Sequence, residues 1–212
     1  MSFPDLSDIR NRVRSLMDED SNSIFLTDSV LNRFINDAER DIAIKTGCIE
    51  NIDSAITAIS SRSVKFSGYK VNYVEYVHSS GLSLGLKRTT LEHLGRIPIN
   101  GSDPQYWVQW GGNIIIEPVP NYTYNLNVYV TDYPHVEMSN DTDEPTIPSS
   151  FHEDIVKYSL FRSLLRDRKY NHASFIYNGY INSIQQKKKL IIEQRSQTRN
   201  EIKIPDYTKT KK

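Results

Sequence analysis

The chain has a single cysteine, Cys48, among 212 residues. An intrachain disulfide is therefore excluded, and a reducing site of synthesis is expected. The thiol follows Gly47 and has no histidine signature beside it, so we interpret it as a buried or incidental group. The sequence also lacks a leader-like N-terminus and any apolar run near the roughly 20 residues of a membrane span, so we expect no membrane contact.

Net charge is also lacking. The 26 basic residues balance 26 acidic residues, so no overall field predicts a nucleic-acid partner. The distribution is uneven, however, because nine Lys and Arg but only three Asp and Glu lie between Lys187 and the C-terminus. We interpret this pattern as a basic arm on a mildly acidic body.

Signatures of catalysis and of cofactor binding are missing as well. The five histidines lie at no metal-ligand spacing from one another or from the cysteine. The acidic stretch 140–144 lacks the Gly and Glu of a calcium-binding EF-hand loop. No phosphate-binding loop, dinucleotide loop or nucleophile elbow occurs. We therefore expect a protein that is not an enzyme and that uses no metal or cofactor.

Helical periodicity marks the N-terminal quarter of the chain. Apolar residues at spacings of three and four predict a first helix, whose buried stripe is Leu6, Ile9, Val13 and Leu16. A second, longer helix is predicted between an N-cap at Thr27 and a left-handed stop at Gly47. Its expected buried face consists of Leu31, Phe34, Ile35, Ala38 and Ile42.

A third helix is predicted after a Pro-containing loop, opened by a capping box of Ser150 and Glu153. At about 100° per residue, its apolar side chains span an arc of roughly 200°, about twice that of a surface helix. The arc consists of Val156, Tyr158, Leu160, Phe161, Leu164 and Leu165. Ile155, Ser159 and Ser163 fall outside it. Such a helix is either central in its own bundle or shared with a second body.

The middle of the chain predicts strands. Gly111 and Gly112 suit a tight hairpin between 106–110 and 113–117, and alternation over 126–130 predicts a third strand of the same antiparallel meander. Earlier strands are expected within 54–60, 63–66 and 70–78. The aromatic residues of this region suit cross-strand packing, with a stacking surface for sugars or single-stranded nucleic acid, or a protein interface, as alternatives. They are Tyr106, Trp107, Trp110, Tyr122, Tyr124 and Tyr129.

Together these patterns predict an α+β fold. A helical bundle of two N-terminal and two C-terminal helices is combined with a central antiparallel β region and an extended C-terminal arm. The predicted segments are an N-terminal helix pair (1–48), an inserted β region (49–134), an acidic Pro-containing loop (135–149), a C-terminal helix pair (150–194) and a basic arm (195–212).

The predicted arm has three interpretations. It is a solvated charge run, a salt-sensitive phosphate contact, or a segment that orders on a partner. Ile202, Ile204 and Tyr207 alternate around Pro205, which suits strand addition to a neighbour's sheet edge. The candidate DNA-phosphate contacts are Lys187, Lys188, Lys189, Arg195 and Arg199.

Three stretches, in this order and spacing, resemble the head–tail connector (adaptor) proteins of tailed bacteriophages. They are LTDSVLNRFINDAERDIA, YWVQWGGNIIIEPVPNYTYNLNVYVTDYP and PTIPSSFHEDIVKYSLFRSLL. The resemblance implies a structural virion protein at the head–tail junction, made in the host bacterial cytoplasm. It also implies a ring, typically of twelve copies, that docks on the portal protein, meets the next tail component and lets DNA pass without sequence readout.

Under this resemblance, the candidate contacts with neighbouring subunits or the portal are Tyr158, Phe161, Leu165, Ile202, Ile204 and Tyr207. Two other functions stay open at this point. One is a nucleic-acid-binding accessory protein that uses the basic C-terminal region. The other is a carbohydrate-contacting tail enzyme that uses the aromatic strands.

Overall fold

The computed structural model describes residues 4–20, 24–78, 81–94, 96 and 103–200, the last five by their backbone alone. Within these residues the α+β prediction is confirmed. The elements are α1 (Leu6–Met17), α2 (Asp28–Thr46), β1 (Ile49–Ile56), β2 (Ser63–Lys65), β3 (Lys70–Val77), β4 (Ser83–Gly85), β5 (Lys87–Arg88), β6 (Tyr106–Trp110), β7 (Asn113–Glu117), β8 (Asn125–Asp132), a 3₁₀ turn (Ser149–Phe151), α3 (His152–Arg166) and α4 (Tyr170–Asn200).

The chain divides into two compact units. Met1–Cys48 and Val136–Lys212 form one unit, which contains the helices, and Ile49–His135 forms the other, which contains the strands. Each unit has its own buried apolar residues. We call the first the helical unit and the second the strand unit.

The first two helices begin and end largely as predicted. Gly47 adopts φ 67° and donates its N–H to the Ala43 carbonyl at 2.8 Å, which confirms the left-handed stop. All five residues expected on the buried face of α2 are buried. In α1 the stripe is wrong at its last member, because Leu16 is 55% exposed and Met17, four residues after Val13, takes the buried place.

Helix α3 is central in its own bundle, where it packs against α1, α2 and α4. Ile155, Ser159 and Ser163 are fully buried, so their expected place outside the buried arc is wrong. Ser163 donates its hydroxyl proton to the Ser159 carbonyl at 2.8 Å, so the buried Ser163 hydroxyl has a hydrogen-bond acceptor within its own helix. Small hydroxyl residues therefore line the side of α3 that faces its neighbours.

The predicted capping box at the start of α3 is wrong. The 3₁₀ turn places Ser150 one residue ahead of the N-cap, which is Phe151 and makes no side-chain cap hydrogen bond. Glu153 instead forms an ion pair with Arg12 at 2.7 Å. The extra turn therefore removes the spacing that the capping box requires.

Helix α4 continues to Asn200, six residues beyond the predicted end at Gln194. The expectation of an extended arm from 195 is therefore wrong for 195–200. Arg and Gln have good helix propensity, so a helix can continue here without a periodic apolar face. Residues 201–212, including Ile202, Ile204 and Tyr207, lie outside the described residues.

Among the residues that the structure describes, the strand unit contains two four-stranded sheets, ordered β1-β8-β3-β4 and β2-β7-β6-β5. Their pairings are antiparallel except for β5 with β6. Both sheets contribute to one apolar core, with Val74 and Val128 from the first and Trp107 and Ile114 from the second. The β6–β7 hairpin is confirmed, and the glycines that close it have φ of 55° and 77°.

The predicted three-stranded meander is wrong, because β8 leaves the sheet of β6 and β7. Strand β7 is paired with β2 on one side and with β6 on the other, so β7 has no free edge with which β8 could pair. Pro118 and Pro120 also have no N–H to continue a ladder. In the other sheet β8 is central, paired along its whole length with β1 and over most of it with β3.

Candidate interaction surface

Two buried arginines of α1 brace the helical unit. Arg14 donates to the Leu26 carbonyl at 3.0 Å and to the Asp28 carboxylate at 2.6 Å. Arg10 donates to Asp141 at 2.5 Å, in the acidic loop. The hydrogen bond from Arg14, together with the positive charge of both arginines, lowers the pKa of Asp28 below its ordinary value.

The acidic loop is held by further hydrogen bonds within the helical unit. The Glu39 carboxylate is buried and accepts the N–H of Thr146 at 2.5 Å and its hydroxyl at 2.7 Å. Asn36 exchanges two hydrogen bonds with the backbone of Met138, at 3.0 and 2.9 Å. The sequence analysis does not predict these buried hydrogen bonds. A sequence signal for them is the pair of arginines at i and i+4, Arg10 and Arg14, beside the apolar stripe of α1.

Tyr158 and Phe161, two predicted interface residues, lie in an aromatic cluster between α3 and α4. The ring of Tyr158 is 5.4 Å from that of Tyr180, and the ring of Phe161 is 4.7 Å from that of Tyr177, by centroids. Both predicted residues are half-buried, whereas Leu165 is 37% exposed. The cluster therefore gives Tyr158 and Phe161 partners within the helical unit itself.

Tyr180 anchors the same cluster to α2. Its hydroxyl donates to Asp41 at 2.5 Å, and Asp41 also accepts from Lys45 at 2.6 Å. Burial, followed by the hydrogen bond to Asp41 and the charge of that carboxylate, raises the pKa of Tyr180.

The predicted phosphate contacts occupy different environments. Lys187 forms an ion pair with the buried Asp154 and donates to the Ser150 carbonyl at 2.5 Å. Arg195 donates to the Gly47 carbonyl at 2.7 Å. Lys188 and Lys189 are exposed, and the side chain of Arg199 lies outside the described residues. The structure therefore leaves Lys188 and Lys189 on the surface and engages Lys187 inside the helical unit.

The aromatic residues of the strand unit do not form one continuous surface. Trp107 and Tyr124 are buried, whereas Trp110 and Tyr122 are 62% and 63% exposed. Tyr124 donates its hydroxyl proton to Asp103 at 2.8 Å. Burial and this acceptor raise the pKa of Tyr124 to about 12. Buried rings of this kind pack the core, as cross-strand packing predicts.

One side of α4 is exposed and uncharged. The stretch Tyr170–Gln186 contains no Asp, Glu, Lys or Arg. Its outward residues recur at helical spacing, opposite the buried Ala173, Tyr180 and Ile184. We call them the neutral face of α4: Asn171, Phe175, Asn178, Gly179, Asn182 and Gln186. The sequence signal for this face is the absence of charged residues over 170–186.

Within the part of the chain that the structure describes, no cluster of three or more His, Cys, Asp or Glu could hold a metal ion. No helix among the same residues is long and apolar enough to span a membrane.

A family model described as the SU10 adaptor protein matches residues 4–202. The chain belongs to the SU10 adaptor protein family. This assignment confirms the resemblance to phage adaptors drawn from the three sequence stretches. No curated protein matches this SU10 adaptor.

The matched range takes in every helix and strand described above. As a member of this family, the chain is a structural protein of bacteriophages and a virion component, and the family implies contacts with portal and tail proteins. Its candidate site is an outer surface, and the neutral face of α4 is one part of that surface.

Proposed function

We propose that this SU10 adaptor is a head–tail connector. Copies of the chain form a ring that docks on the portal protein and joins it to the next tail component. The resemblance to head–tail connectors suggests twelve copies in the ring. The ring encloses a channel through which DNA passes. The observation that carries the proposal is the family match over residues 4–202, which spans both units.

The internal bracing of the helical unit supports this function. Arg10, Arg14 and Glu39 are buried and tie the acidic loop to the first two helices. Charged side chains held in this way fix one arrangement of the connecting segments. A rigid subunit of this kind suits a connector, because its partners can bind on the outside without reorganising its core.

Exposed groups supply the proposed partner contacts. Leu165 is the most exposed of the three candidate residues on α3. We propose that Ile202, Ile204 and Tyr207, in the segment after α4, add as a strand to a partner's sheet edge. Their alternation around Pro205 supports this mode of contact.

We propose that Lys188 and Lys189 face the DNA channel. Both are exposed in the second half of α4, and neither forms an ion pair within the described residues. Two lysines can attract phosphates without reading the bases. Lys187, which is engaged with Asp154, contributes less to such a contact.

Electron microscopy of virions, and of purified chain mixed with purified portal protein, tests the connector proposal. The expected result is a ring of density for this chain between the portal and the tail. Absence from virions, together with a strictly monomeric chain in the presence of portal protein, contradicts it. Monomers without portal protein do not, because the portal can serve as the template for assembly.

A further inference from the structure

The neutral face of α4 differs from the rest of the chain in charge. Charged residues make up 25% of the sequence, so a stretch of 17 residues would hold about four at that average content. The stretch 170–186 holds none, and most of its outward side chains are amides. The face is therefore exposed to solvent without the charges that usually cover a solvated helix.

The neutral face also has a distinct shape. Phe175 is 78% exposed, and Gly179 lies one turn further along the same side. A Cβ added at Gly179 would meet no heavy atom within 4 Å. Glycine inside a helix costs about 1 kcal/mol relative to alanine, and the packing of the subunit does not require it. An aromatic projection thus stands beside a gap where another chain can approach the backbone closely.

We propose that the neutral face of α4 is a contact surface for a neighbouring copy of this chain. The inference rests on the proposed function, since a ring requires lateral contacts between subunits. Depletion of charged residues, with an exposed aromatic side chain, is typical of the central part of protein interfaces. This face has no Lys or Arg that could bind DNA phosphates, and no charged side chain that could form an ion pair with another protein.

The size of the face agrees with a contact that forms within an assembly. Seventeen helical residues span roughly 25 Å, and a face about 10 Å wide covers about 250 Å². A stable pair of proteins buries about 800 Å² on each partner. The face alone is therefore too small to hold two free copies together. In a ring, each copy also has a second lateral contact and a contact with the portal, which add to the buried area. In a ring the contact is heterologous, so the neighbour meets it with a different surface.

Photo-cross-linking identifies the occupant. Full-length chain carrying benzoylphenylalanine at Asn182 is assembled on purified portal protein and irradiated. The matched control carries it at Asn11, an exposed asparagine of α1. We expect products of twice the chain's mass or more from the Asn182 position, at least tenfold above the control. A product with the portal protein alone, equal yields from both positions, or no product overturns the inference.

Substitutions separate this inference from the connector proposal. Asn182→Arg introduces a charge at the centre of the face, and Asn11→Arg is its control. Gly179→Leu fills the gap, whereas Gly179→Ala restores helix propensity with little bulk. We expect all four chains to fold, as judged by circular dichroism and thermal unfolding. Asn182→Arg and Gly179→Leu should lower assembly on the portal at least tenfold, and Asn11→Arg should leave it unchanged.

Normal assembly of both face variants, alongside normal assembly of the wild type, contradicts the inference and leaves the connector proposal standing. A wild-type chain that is absent from virions and stays monomeric with portal protein contradicts the connector proposal, and the inference with it. If Asn182→Arg does not fold, the cross-linking experiment still tests the inference, because it places no charge at position 182.

Discussion

Lys187 of α4 and Asp154 of α3 form an ion pair inside the helical unit. The Asp154 side chain is fully buried, and its second cation is Lys157 at 3.5 Å. Lys187 also donates to the Ser150 carbonyl, in the 3₁₀ turn that precedes α3. One lysine thus joins the start of the central helix to the second half of the longest helix.

Lys187→Met should destabilise the protein, because a buried carboxylate loses its closest partner. Breaking a buried pair from one side costs about 3–5 kcal/mol, and the remaining Lys157 reduces this to about 2–3 kcal/mol. Urea unfolding at pH 7 measures the change. The matched control is Lys188→Met, since Lys188 is exposed and its loss should leave the free energy of unfolding almost unchanged. Equal stability of the two variants contradicts this assignment.

Glycines at turns and at helix ends predicted the boundaries of neighbouring helices and strands. Two glycines in succession specified the β6–β7 hairpin, and a glycine after an apolar helical stripe specified the end of α2. The partner of β8 could not be predicted in this way. Its strand pattern shows that one face is buried, but the choice between two sheets depends on which edges remain free in the folded unit.

The surface was harder to predict than the core for a related reason. The broad arc of α3 fits either a central helix or a shared one, and the resemblance to connectors favours an interface for Tyr158 and Phe161. Their partners, Tyr177 and Tyr180, follow in the next helix, and a helical wheel of α3 alone does not include them. The sequence likewise predicts a phosphate contact for Lys187, because its partner Asp154 lies 33 residues earlier in the chain and shares no local pattern with it.

Acid should weaken the bracing by Arg14. The pKa of Asp28 is lowered in the folded protein, so the ionised carboxylate stabilises the fold above its unfolded pKa near 3.8. This contribution is lost as the pH falls through the lower, folded pKa. We expect the difference in unfolding free energy between wild type and Asp28→Asn to shrink from pH 7 towards pH 2. Because the Asp28 side chain is 60% exposed, the difference should also shrink in 1 M salt. A difference that stays constant with pH contradicts this contribution.

Removing the hydroxyl of Tyr180 should loosen α4 from α2. Tyr180→Phe keeps the ring in the aromatic cluster and deletes the hydrogen bond to Asp41. A buried hydrogen bond to a charged group contributes about 1.5–3 kcal/mol. Denaturant unfolding should show a loss in this range. Tyr177→Phe is the control, because Tyr177 is half-buried in the same cluster. An equal or larger loss in the control contradicts a specific contribution from the hydrogen bond between Tyr180 and Asp41.

Alkaline pH should destabilise the strand unit through Tyr124. Its pKa is raised from 10.0 to about 12 in the folded state, mainly by burial and then by the hydrogen bond to Asp103. The stabilisation of the neutral phenol is fully present below pH 10, and it is lost as the pH rises from 10 to 12, where the unfolded chain ionises first. Tyr124→Phe removes this ionisation, so its unfolding free energy should fall less steeply than that of wild type between pH 10 and 12. Tyr122→Phe, at an exposed position, should follow the wild-type slope. Equal slopes for wild type and Tyr124→Phe contradict the assignment.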